Sequence, residues 1–141
     1  MKAVTWALLI IIGLLLTSFF VFIRPSFLQP VLRDQARDIA QYIAGQISFM
    51  ARMADLGAYN GQRVFHVDAG SDKLVEIVVT YYTANKNGTV TVRITSGNVY
   101  GQASAIFWSD YLVKNATVYQ GDIIITLRTK TITIANIKQK S

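Results

Sequence analysis

The side chains able to do chemistry are few in this chain, and their spacing limits what that chemistry could be. His66 is the single histidine, and cysteine is absent. One imidazole without thiolates cannot build a Cys/His metal site. The carboxylates near it in sequence, Asp68 and Asp72, belong to a turn-like Asp68-Ala69-Gly70-Ser71-Asp72. His66 therefore reads as a strand residue with a partly exposed ring. The Asp68 to Asp72 stretch looks like a fragment of a calcium loop, but it lacks the regular oxygen spacing and the distal Glu such a loop needs, and it reads as a turn. No serine sits in Gly-x-Ser-x-Gly, no glycine-rich phosphate loop is present, and no two carboxylates are spaced as acid and base. The sequence thus offers no catalytic, cofactor-binding or metal-binding residues, and it reads as a protein that is not an enzyme.

Two modification signals remain, the sequons Asn87-Gly88-Thr89 and Asn115-Ala116-Thr117. Asn87 falls in a polar loop, residues 83 to 88, that ends in Asn-Gly. There it reads either as a glycan acceptor or as a turn residue that tolerates positive φ. Asn115 lies in no evident loop and reads slightly better as a plain polar residue. Absent cysteine also leaves the redox compartment undefined. The net charge of +6 is spread thinly: five Lys/Arg and three Asp up to Gly57, nine Lys/Arg and five Asp/Glu beyond it. No basic stripe marks a nucleic-acid partner, and Lys138 and Lys140 make only a mildly basic tail.

The elements that must position these residues begin with an apolar run. Residues 3 to 23 are 21 uncharged residues in a row, a helix of roughly 31 Å, the thickness of a bilayer core. A signal peptide would have a shorter core and small residues ahead of its cut site. Here the run ends Phe22-Ile23-Arg24-Pro25, so the segment is expected to stay. Pro25 and Pro30 predict a kink or a short irregular stretch. Leu32, Ala36, Ile39, Ile43, Ile47, Met50 and Ala54 then recur in steps of three and four, one apolar helical face. Asp34 and Asp38 suit its start, and Gly57 suits its C′ position. The pattern predicts one long helix, from about residue 4 to about 56, apolar all round in its first half and amphipathic in its second.

Beyond Gly57 the period becomes two. Residues 73 to 82 put Val75, Ile77, Val79 and Tyr81 on one strand face, and residues 89 to 96 do the same with Val90, Val92 and Ile94. The loop between them predicts a hairpin. Residues 98 to 101 start a further connection, 105 to 108 form a short apolar stretch of open type, and 111 to 119 alternate weakly. From Asp122 to Ile137 the strand signal is strongest, but Ile123, Ile125 and Leu127 are odd-numbered while Ile132 and Ile134 are even. That switch of phase demands a bulge or bend near residues 128 to 130. The expectation is an α+β chain: residues 1–57 a long hydrophobic-to-amphipathic helix, residues 58–141 a small antiparallel β-sandwich-like domain. A helix of about 50 residues would run some 75 Å, far more than a β domain of that size can cover, so part of it must meet lipid or other chains.

A long N-terminal helix, apolar then amphipathic, ahead of a compact β domain with sequons and no cysteine resembles the type IV pilins, most closely the archaeal pilus and archaellum subunits. The resemblance covers the whole chain as architecture. It implies cleavage by a prepilin peptidase ahead of the apolar run, and Lys2-Ala3 followed by Val4 is similar to such a site; the cut itself stays open. In that register Pro25 lies close to where bacterial pilins carry a kinking proline, and Leu8 stands where they carry a glutamate, a change archaeal members tolerate. The resemblance further implies an extracellular homopolymer, a helical filament for adhesion. Its precursor would sit in the membrane, its partners would be the peptidase and assembly machinery, and Asn87 and Asn115 would carry glycans outside. Leu8, Ile12, Leu15, Phe19, Leu32, Ile39, Ile43, Ile47 and Met50 would pack the filament core. The alternative is a single-pass anchored β-domain protein, an accessory or stator-like partner of a surface machine. Gly13, Thr17 and Ser18 interrupt the apolar helix with small or polar groups that would suit helix packing.

Overall fold

The structure, a computed structural model, describes residues 2 to 137; the basic tail at Lys138 and Lys140 lies outside them. One helical span runs from Lys2 to Asp55. It divides into α1 (Lys2–Ser18), a π-helical segment (Phe19–Ile23) and α2 (Arg24–Asp55). The departure from α geometry falls in the five residues ahead of Arg24-Pro25, where the Arg24 N–H reaches back to the Phe19 carbonyl. A π turn adds one residue to the ring closed by each hydrogen bond, which is one way to carry a helix past a proline that cannot donate. Pro30, also expected to mark a kink or a short irregular stretch, sits inside α2. Its missing N–H costs the Ser26 carbonyl its usual donor, and the helix absorbs that single loss. At the far end, Ala58 N–H bonds the Met53 carbonyl and Gly57 N–H the Ala54 carbonyl, at 3.0 Å each, with Gly57 at φ 99. That is a Schellman stop at the glycine the sequence marks.

Eight strands follow: β1 (Asn60–Val67), β2 (Leu74–Tyr82), β3 (Asn87–Ser96), β4 (Val99–Trp108), β5 (Leu112–Val113), β6 (Ala116–Tyr119), β7 (Gly121–Arg128) and β8 (Thr131–Asn136). They form two four-stranded sheets, ordered β1-β7-β8-β5 and β4-β3-β2-β6. All pairs are antiparallel except the short β5–β8 contact. The chain is an α+β fold, a long helix followed by two small sheets packed together.

The two sheets form a wedge. At one side β6 lies against β8, and the Asn136 side chain imitates a peptide group there: its Oδ1 accepts from Tyr119 N–H at 2.8 Å, and its Nδ2 donates to the Tyr119 carbonyl at 2.7 Å. At the other side the wedge is filled by α2, which packs along β4 and β3 and reaches β7 and β8 across the gap. Leu32, Ala36, Ala40, Ile43, Ile47 and Met50 join Val75, Ile77, Val79, Val90, Val92, Ile94, Ile123, Ile125, Leu127 and Ile132 in one core. The core runs straight across residue 57. Ile39, expected at the centre of the helical face, is only partly buried, and Ala40, Ala44 and Ala51 are buried in the row beside it. Small residues line the seam because helix and sheet are close: a Cβ on Gly101 of β4 would come within 2.3 Å of the Arg33 backbone nitrogen and 2.5 Å of the Leu32 carbonyl carbon.

Several local expectations are sharpened or corrected. The bulge or bend expected at the change of phase between β7 and β8 takes the form of a two-residue hairpin turn. Arg128 pairs with Thr131, and the turn residues Thr129 and Lys130 both have positive φ, 45° and 62°. Reversing the chain places Ile125 opposite Ile134 and Leu127 opposite Ile132, so odd and even residues share a face. This left-handed turn normally carries Asn-Gly. Thr129→Asn with Lys130→Gly is therefore expected to stabilise the fold by about 1–2 kcal/mol, read as a raised urea midpoint with unchanged slope. A midpoint that stays put or falls would mean the turn is not strained. Asn87-Gly88 is not the hairpin turn. Asn87 opens β3 opposite Tyr82, the loop occupies residues 83 to 86, and Gly88 is there because a Cβ would strike the Phe107 ring and the Thr80 carbonyl. The apolar stretch at 105 to 108 is the end of strand β4.

Candidate assembly surface

The two halves of the helical span face opposite fates. In the apolar half no side chain of α1 or of the π segment is buried. Leu8, Ile12, Leu15 and Phe19 lie on one face at steps of three and four, exposed by 54%, 50%, 65% and 46%. Their neighbours around the helix, from Val4 to Ile23, are exposed as well, so the surface is apolar on all sides. The span is long and apolar enough to cross a membrane, and its most apolar window is wholly uncovered by the rest of the chain.

Two hydroxyls in and just beyond this run are satisfied locally. Thr17 Oγ1 donates to the Gly13 carbonyl at 2.8 Å, and Ser26 Oγ to the Phe22 carbonyl at 3.0 Å. In a medium without water an unmade hydrogen bond costs several kcal/mol, so this back-bonding lets a hydroxyl sit in an apolar helix. Gly13 and Thr17 stand one turn apart on the same face, and a Cβ on Gly13 would meet nothing within 4 Å. The small-residue seam anticipated from the sequence is thus open to an approaching helix.

The amphipathic half has no such freedom. Leu32, Ile43, Ile47 and Met50, assigned from the sequence to contacts between subunits, are at most 4% exposed and packed into the chain's own core; Ile39 lies at its edge. The reason is the open wedge, which needs a helix to close it and takes the nearest one in the chain. Where the two halves meet, a concavity of about 490 Å³ lies between Phe20, Val21, Arg24 and Leu28 on the helix and the β3–β4 turn, residues 96 to 99. The sequence did not foretell this notch, because it depends on where the turn falls along the helix.

The remaining candidates are placed as follows. Lys2, Ala3 and Val4 all lie in α1 and are exposed. His66 lies in β1 with its ring exposed, as expected, but its partner is neither Asp68 nor Asp72. Nδ1 meets Asp122 Oδ1 at 2.9 Å across the β1–β7 pair. Asp68 accepts from Gly70 N–H at 2.9 Å and shapes a turn. Among the described residues no group of three or more His, Cys, Asp or Glu could hold a metal ion. The two sequons exchange their expected settings: Asn87 is half-buried in a strand, while Asn115 is exposed in the two-residue link between β5 and β6. Asn115 Oδ1 accepts from Tyr81 N–H at 2.8 Å, taking up the donor where the β2–β6 ladder ends.

With this geometry in hand the chain was compared with protein-family models, curated proteins and solved structures. No match was found in any of the three. Function must therefore be argued from the surface itself.

Proposed function

We propose that this chain is a structural subunit of an extracellular, type IV pilus-like filament that polymerises through its N-terminal helix and serves adhesion. The observation that carries the reading is the contrast between the two halves of one helix. The chain takes Leu32, Ile43, Ile47 and Met50 of α2 into its own core and buries no side chain of α1. A rod of about 22 residues, apolar on all sides, suits lipid before assembly and the helices of identical subunits afterwards. At about 25 cal/mol per Å², each several hundred Å² taken out of water is worth many kcal/mol, and in a filament that gain would hold the polymer together. Moving the rod from lipid to protein gains far less, so extraction from the membrane would need a machine.

A second reading, a single-pass anchored β-domain protein, is favoured by one specific observation. Leu32, Ile43, Ile47 and Met50 of α2 are spent inside the chain, so the length of the amphipathic half no longer calls for neighbouring subunits. The two readings part in one experiment: shear the producing cells, pellet the released material without detergent, and image it by electron microscopy with an antibody to the β domain. Labelled filaments are the expected result. Label that stays with the membranes and enters solution only with detergent would sink the filament reading and leave the anchor.

On either reading the β domain faces outward, where glycans can be added. Asn115, exposed in a loop, is the expected acceptor, and Asn87, half-buried in β3, is expected to be occupied less. Asn115→Gln should remove one glycan mass from the intact chain. Loss of that mass on Asn87→Gln instead would reverse the assignment.

A further inference from the structure

A second concavity, of about 470 Å³, lies between the last turns of α2, the β2–β3 loop and the end of β4. Its size lies within the roughly 300–1,000 Å³ range of small-molecule clefts. One wall is Trp108, 65% exposed, an unusual setting for an indole, which proteins normally cover. Around it stand Arg52, Asp55, Asn85, Lys86 and Asp110.

These groups are held in place. Tyr111 Oη donates to Asp55 Oδ1 at 2.8 Å, a bond that keeps the Tyr111 phenol protonated to higher pH than usual. Buried Ser109 ties the floor together: its N–H donates to the Lys86 carbonyl at 3.1 Å, its Oγ donates to the Tyr111 carbonyl at 2.8 Å, and its own carbonyl accepts from Tyr81 Oη at 2.7 Å. Lys86 pays for its place with a left-handed backbone, φ 54, a conformation that persists in a non-glycine residue only where the surroundings enforce it. The ion pair at the mouth, Lys86 Nζ to Asp110 Oδ1, is long at 3.7 Å and about two-thirds exposed on both sides, so it can open to a ligand at little cost.

The charges decide the ligand class. Two cations and two carboxylates cancel, which gives no advantage to an anion or a cation. What the cleft offers is an apolar aromatic face beside a balanced set of donors and acceptors. A ligand that fits both has an apolar face and a rim of hydroxyls, each of them donor and acceptor at once. We infer that this cleft binds a neutral pyranose sugar from outside the chain, stacked on Trp108 with its hydroxyls held by Asp55, Asp110, Arg52 and Asn85. The inference names a ligand for the adhesive role proposed above and rests on that reading for its biological meaning. Binding is read on dispersed chains, so its failure and the absence of filaments are separate results.

The test uses the full chain from producing cells, held in a detergent without a sugar headgroup. Trp6→Phe leaves Trp108 as the sole indole. Methyl glycosides of glucose, galactose, mannose and N-acetylglucosamine are then titrated while Trp108 emission and its quenching by iodide are followed. At least one glycoside is expected to shift the emission saturably and protect it from iodide. Asp110→Asn is expected to weaken that binding about tenfold. Trp108→Ala, which removes a surface ring and should melt as the parent does, is expected to abolish saturation transfer to the glycoside in NMR. Glycosides without effect at their highest soluble concentrations would overturn the inference, as would binding that survives Trp108→Ala. Asn87 is the strand partner of Trp108, so its own glycan is a rival occupant. Binding that appears only in Asn87→Gln would overturn the outside source.

Discussion

Gly101→Ala is expected to destabilise the fold by about 3 kcal/mol or more, although it adds a single methyl group. The added carbon would meet the Arg33 nitrogen at 2.3 Å, the Leu32 carbonyl carbon at 2.5 Å and Leu32 Cβ at 2.8 Å. Two of those three atoms are helix backbone, which cannot rotate out of the way as a side-chain tip can. The helix must lift from β4, and every contact of Leu32 and Ala36 with the sheet loosens with it. Gly61→Ala is the matched control, since its nearest neighbour would be the tip of Met50 at an ordinary 3.7 Å. It is expected to stay within about 0.5 kcal/mol of the parent. Urea unfolding of both variants in detergent, followed by circular dichroism, checks the pair. Equal midpoints for the two would show that α2 is free to slide on the sheet.

Ile12→Lys should act at the other end of the span and leave the β domain alone. Ile12 lies in α1, none of which is buried by the chain, so the urea midpoint of the dispersed protein is expected to match the parent. A lysine at the middle of a spanning helix costs about 3 kcal/mol in a bilayer. Between packed helices it would be an unpaired buried charge, repeated in every subunit. Sheared filaments are therefore expected to disappear. Ile43→Lys, in the chain's own core, should instead unfold the β domain and lower the chain's abundance. Filaments that survive Ile12→Lys would place the polymer contact elsewhere and remove the main support for the proposed assembly.

Much of this architecture was legible in the sequence, for physical reasons that differ between elements. The helix was readable because 21 uncharged residues followed by a three-and-four repeat have few other solutions. The β2 and β3 faces were readable because Val75, Ile77 and Val79 pair with Ile94, Val92 and Val90, one period-two pattern confirming the other. Strand β1 was legible only at His66. Only Val67 of its eight residues is fully buried, because Arg63 lies over the Phe49 ring and Phe65 meets Tyr42 on the helix in place of a neighbouring sheet. The β7–β8 turn was read only as a bulge or bend because Thr129-Lys130 lacks the glycine or asparagine that normally announces a left-handed turn. The partition of the helix could not be read at all. Whether Ile43 faces its own sheet or another subunit depends on how wide the wedge opens, and the sheet order is set by pairings between residues some sixty apart, as in β1 with β7. The cleft at Trp108 stayed invisible for the same reason, since its walls come from three separate elements.

The filled wedge also governs how the molecule can be made. Its filler, residues 32 to 54, leaves the ribosome before any strand, whereas β1 has no partner until β7 has followed it out. Nascent chains therefore wait with an apolar helical face uncovered until the closing strands emerge, and that interval is the natural point for a chaperone to hold them. The same order tells a protein engineer where to cut. A soluble fragment that starts at residue 58, where the strands begin, would be a sandwich with one side open, prone to gather on its fellows. Starting near Leu28, past the uncovered rod but ahead of Leu32, keeps the filler with the sheets it closes.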